Sequence, residues 1–191
     1  MFAIIKSYAK ITGIAAALSI GLSGCLMVHS SKQELLYSPE YVNYASTGGV
    51  LPIELTGNPV GTSDLAAQKL VDNIQVPRWI NVQKLRLIAS ADRGQGHRLV
   101  MVFNPTSVFT DGDSLCANAG PETSNSGPHL KIFAALCLGN KNVTRATAEG
   151  KVQASLQDPQ FIQLLNSLIN EVLPIKNSDH PTADCDASPC G

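Results

Sequence analysis

The hydrophobic pattern changes period several times along the 191 residues, and each change marks an expected element. Val50-Leu51-Pro52-Ile53-Glu54-Leu55 reads as a strand, with its proline pointing to an edge or a strand start. Thr56-Gly57-Asn58-Pro59 and Gly61 follow as a turn. Thr62 or Ser63 then caps a helix running to about Asn73, with Leu65, Ala66, Leu70 and Ile74 near helical spacing. Leu85 to Ala89 and Leu99 to Phe103 are strand-like and flank a polar, glycine-bearing connection that suits a hairpin. Val100-Met101-Val102-Phe103 is apolar at every position, the mark of a strand covered on both faces. Leu130 to Leu138 is a fourth strand, and a weak helical segment is suggested around Thr144 to Glu149.

The last element is the clearest. Asp158-Pro159 supplies a cap and a first-turn proline. Phe161, Leu164, Leu165, Leu168, Ile169 and Val172 trace one helical face, and Pro174 ends it. Together these elements predict an α+β domain: a small, mostly antiparallel sheet of about four strands with two main helices packed on one face. Between the second hairpin strand and Leu130 lies a long loop, residues 104 to 128, of a length that is uncommon unless functional or tied down.

The N-terminus has another character. Lys6 and Lys10 precede an apolar run from Ile11 to Ile20, and small residues lead to a cysteine at Leu22-Ser23-Gly24-Cys25. A basic region, a short apolar region and a small-residue cleavage site describe an export signal. The run falls short of the roughly 20 apolar residues of a comfortable bilayer span. Leu22-Ser23-Gly24-Cys25 resembles the lipobox of bacterial lipoproteins, in which a dedicated peptidase cuts before the cysteine. The resemblance implies that Cys25 carries a diacylglyceryl thioether and an acylated amino group. Two or three acyl chains hold a protein essentially permanently, where one would not. Residue two of the mature chain is Leu26, not the aspartate tied to inner-membrane retention in enteric bacteria, so the resemblance points to the outer membrane, facing the periplasm. The domain map that follows is residues 1–24 as signal, 25–49 as a lipid-anchored tether, 50–176 as one domain and 177–191 as a polar tail. Tyr37, Tyr41 and Tyr44 in the tether suit docking onto the domain or a partner.

Cysteine number agrees with export. Five cysteines is an odd count, and assigning Cys25 to lipid leaves Cys116, Cys137, Cys185 and Cys190. Three connectivities are open to four cysteines. The expected one is Cys116–Cys137 with Cys185–Cys190, in an oxidising compartment. The first pair closes a loop of about 22 residues, worth roughly 3 kcal/mol in the chain-entropy view.

Charge narrows the partners. The chain has 14 basic and 15 acidic residues, and losing Lys6 and Lys10 with the signal makes the balance slightly more acidic. No Lys/Arg stripe is present to neutralise phosphates, so nucleic acid is not an expected partner. Motif searches return no Gly-x-Ser-x-Gly, no His-Glu-x-x-His, no phosphate-cradling loop and no Cys-x-x-Cys. No catalytic residue, metal or cofactor is therefore assigned. The hairpin tip, with Asp92, Arg93, His97 and Arg98, is the candidate partner-binding turn against the plainer reading of a solvated loop. Asp111 and Asp113 lack the full spacing of a calcium loop. In the tail, Asp179, His180, Cys185 and Cys190 could hold a soft metal when reduced, but oxidation removes the thiolates.

Two functions compete at this point. The first is a non-enzymatic envelope lipoprotein that binds or braces another envelope component. The second is a membrane-tethered periplasmic hydrolase with its site in the 104–129 loop, where Asp111, Asp113, His129 and the serines 107, 114, 124 and 126 lie. Strand-like Leu51–Leu55 before Gly57-Asn58-Pro59, the Phe103-Asn104-Pro105 step and two cysteines flanking the next strand resemble uncharacterised proteobacterial envelope lipoproteins. That resemblance implies a compartment and no activity.

Overall fold

The computed structural model describes residues 26–33, 37–61, 63–88, 94–106, 112–117, 121–124 and 129–176. Cys25, Asp92, Arg93, Asp111, Cys185 and Cys190 lie outside them, as do the signal and the tail from 177.

Among the described residues six strands form one mixed sheet: β1 Met27–Gln33, β2 Val50–Thr56, β3 Lys84–Leu87, β4 His97–Phe103, β5 Leu130–Leu138 and β6 Lys141–Gly150, in the order β1-β6-β5-β4-β2-β3. The helices are α1 Pro39–Ala45, α2 Asp64–Asp72, α3 Asp113–Cys116 and α4 Pro159–Val172. This corrects the expected four-stranded, mostly antiparallel sheet with two helices.

The largest correction concerns β3 and β4. They are not a hairpin. β2 lies between them and pairs parallel with both, Leu51 opposite Leu85 and Ile53 opposite Leu99. A parallel pair needs a crossover, and α2 supplies one between β2 and β3. From β4 onward the sheet is antiparallel, through β5 and β6 to β1.

The other two corrections are added strands. Lys141–Gly150 was expected to be partly helical, because alanine favours helices. It is a strand in which Thr144, Ala146, Ala148 and Gly150 are buried while Arg145, Thr147 and Glu149 are half-buried. Small residues on the inward side let α4 pack close: Thr144 Oγ1 donates to the Val172 carbonyl, and a Cβ at Gly150 would stand 3.7 Å from Leu164 of α4 and 2.9 Å from Leu26. The segment expected as a tether supplies β1 and α1, so it belongs to the domain. Tyr37 is buried and its hydroxyl donates to the Pro174 carbonyl, which is the docking expected of a tyrosine there.

The local signals for the two longer helices hold. Ser63 Oγ accepts from the Ala66 amide and starts α2. Asp158 accepts from the Gln160 amide with Pro159 next to it, and starts α4. Phe161, Leu164, Leu165, Leu168, Ile169 and Val172 are all buried. They join Val42 of α1, Leu70 of α2 and the inward residues of β2, β4, β5 and β6 in the main core. On the opposite face a smaller cluster forms from Val100, Val102, Phe133, Ala135 and Cys137 under Leu115 and Cys116 of α3. That second layer explains why β4 is apolar at every position from Val100 to Phe103.

Candidate functional site

Alternation along β4 aims Arg98 at the smaller core, on the same face as Val100 and Val102. It is fully buried. Its Nε donates to Glu54 Oε2 at 2.9 Å, one Nη donates to the Gly139 carbonyl at 2.8 Å and the other to the Cys116 carbonyl at 2.7 Å. Glu54 Oε2 also accepts from the Gly94 amide at 3.3 Å. One guanidinium thus ties together β2, the β5–β6 turn, α3 and the chain entering β4. A buried charge is tolerated only when paired and hydrogen-bonded in this way. Arg98, expected at an exposed partner-binding turn, is therefore an internal tie.

Beside it, Cys116 and Cys137 form a disulfide with S–S 2.00 Å and Cα–Cα 5.6 Å, ordinary separations for such a bond. Both cysteines are fully buried. Arg98 and Cys137 are direct neighbours across β4 and β5, so the covalent and ionic ties reinforce the same place.

Of the two described residues of the expected turn, Arg98 and His97, it is His97 that reaches the surface. It is half-buried, and Tyr44 of α1 meets it edge-on with ring centroids 5.0 Å apart. Burial lowers the His97 pKa. Its cross-strand neighbour Leu138 is 40% exposed and Tyr44 67%.

At the other end of the sheet, Glu149 accepts from Lys131 Nζ at 2.9 Å and lies 3.4 Å from His129 Nε2. The hydrogen bond from Lys131 is the main cause holding the Glu149 carboxyl below its usual range, opposed by partial burial and aided by His129. Lys131 also stands 5.2 Å from the Phe133 ring centre.

The expected hydrolytic constellation does not assemble from the described residues. Asp113 Oδ1 accepts from the Asn142 amide at 2.9 Å and Oδ2 from Lys141 Nζ at 2.6 Å, at the β5–β6 turn. His129 precedes Leu130, which pairs with Gly150 at the opposite end of the same hairpin. Nine Cα steps along β6, from Lys141 to Gly150, separate the two ends, about 30 Å of extended chain. Ser124 Oγ donates to the Asn104 carbonyl. Ser107 and Ser126 lie outside the described residues. Among the described residues no group of three or more His, Cys, Asp or Glu could hold a metal ion.

Sequence reasoning missed Glu54, because nothing in Ile53-Glu54-Leu55 marks the carboxylate as the partner of a guanidinium 44 positions on. The one available signal was a charged residue inside an otherwise apolar strand.

No protein-family model matches the chain, and no curated protein does. Among solved structures, a PelC dodecamer from Paraburkholderia phytofirmans is similar at 13% identity and a TM-score of 0.41, covering 78% of this chain and 95% of that one. A point variant of the same protein in another crystal form gives the same identity and TM-score, with 98% of that chain covered. This likeness is too slight to argue from.

Proposed function

We propose that the chain is exported, cut before Cys25 and lipidated there, and that its single domain serves at the periplasmic side of the outer membrane by binding or bracing another envelope component. The observation that carries this reading is the position of the lipobox relative to the fold. β1 begins at Met27, two residues beyond Cys25, so processing at that cysteine would leave every described strand intact. The buried Cys116–Cys137 bond supports export, since such bonds persist in oxidising compartments. Among the described residues no helix is long and apolar enough to cross a membrane.

A binding role is favoured over hydrolysis because Asp113 and His129, two of the residues expected to share a loop site, sit at opposite ends of the β5–β6 hairpin. The test is intact-mass analysis of the mature protein together with fractionation of Cys25→Ser. The expected result is a terminus at residue 25 carrying acyl mass, and release of the variant from membranes. A variant that still sediments with membranes at high salt would refute the anchor.

A further inference from the structure

The first strand leaves the anchor no slack. Met27 pairs with Glu149 and Val28 with Ala148, so the chain is part of the sheet from its second residue after Cys25. Leu26 packs against the main core, close to Gly150. A flexible tether of about 25 residues would let a domain wander by roughly 25–30 Å. Here a single Cα–Cα step of about 3.8 Å separates Cys25 from a residue packed into the domain.

Strand directions then say which end of the molecule is held. β2, β3, β4 and β6 all run toward the Gly150 end, and β1 and β5 start from it. Met27, 50% exposed, and His129, Lys131 and Lys151 lie at that end. Lys84 and Lys141 lie at the other, about 30 Å away along β6. Lys131 and Lys151 can bury their stems and keep their ammonium groups at a headgroup layer. The charge at this end is mixed, with Glu149 facing Lys131, so chain continuity and not net charge selects the occupant.

We propose that the Gly150 end of the sheet lies against the lipid headgroups in one orientation, and that the His97–Tyr44 end is held away from the bilayer. This rests on lipidation of Cys25. The test is an amine-reactive footprint, read by mass spectrometry, of the acylated protein in phosphatidylethanolamine/phosphatidylglycerol vesicles and of the unanchored Cys25→Ser chain. Lys151 should react several-fold more slowly on vesicles than in the free chain, while Lys84 and Lys141 react equally in both. A ten-residue Gly/Ser spacer between Cys25 and Leu26 should restore Lys151 reactivity without loss of vesicle flotation. If the acylated chain fails to float with vesicles, the anchor reading is wrong and the orientation falls with it. If it floats but Lys151 and Lys141 are protected alike, or Lys141 more, the anchor stands and the orientation is overturned.

Discussion

Glu54→Gln keeps the shape and an acceptor oxygen while removing the charge that balances Arg98. The pair is almost entirely out of water, with side-chain exposures of 0% for Arg98 and 4% for Glu54. Taking away one member of such a pair leaves an uncompensated buried charge, at a cost of about 3–5 kcal/mol. Arg98→Met should cost at least as much. It strands the Glu54 carboxylate and also frees the Gly139 and Cys116 carbonyls, each worth about 1–3 kcal/mol when left unsatisfied. The double variant should cost little more than Arg98→Met alone, because the two losses share one interaction. A coupling of about 2 kcal/mol or more is expected. Urea unfolding of the oxidised Cys25→Ser chain measures all three. The melting temperature of the singles should fall by about 6–20 °C, taking 2–4 °C per kcal/mol for a chain of this size. A Glu54→Gln loss under about 0.5 kcal/mol, or single losses that simply add, would show that the pair is not what joins these elements.

Two further outcomes follow from the same geometry. Cys116→Ser and Cys137→Ser should each lower stability by about 3 kcal/mol, with no added loss in the double variant, in denaturant titrations under oxidising conditions; additive losses would mean that the bond is not their shared contribution. Glu149, whose folded pKa lies below 4.5, contributes stability that is complete above that value and fades as pH falls through the lowered one. Its partners are part-exposed, so the contribution is a fraction of a kcal/mol. Glu149→Gln should flatten the acid limb of the stability curve slightly, and an unchanged acid limb would remove the carboxylate from the account.

Local chemistry made part of this protein legible from its residues. Ser63 before α2, Asp158-Pro159 before α4 and the apolar stripe from Phe161 to Val172 each occupy a few turns of chain, so the signal and the structure it specifies are adjacent. The span of β5, Leu130 to Leu138, was visible for the same reason. The expected disulfide at Cys116 and Cys137 forms, and sequence spacing alone could not have chosen it among the alternatives.

Pairing was not local, and so it was not legible. A strand's side chains record which faces are buried but not which strand lies beside it, because ladder hydrogen bonds come from the backbone. Hence β2 could insert between β3 and β4 without any mark at the turn that joins them. The alanines of β6 favour a helix until α4 demands small residues on that face. Arg98 read as a turn residue because Glu54, Gly139 and Cys116 reach it only in three dimensions. The helix caps and the apolar helical stripe could be read from the residues alone, because each is written in neighbouring positions. Tertiary structure alone decided strand order, the recruitment of β1 to the sheet and the burial of one charge, since each depends on groups that folding brings together from distant parts of the chain.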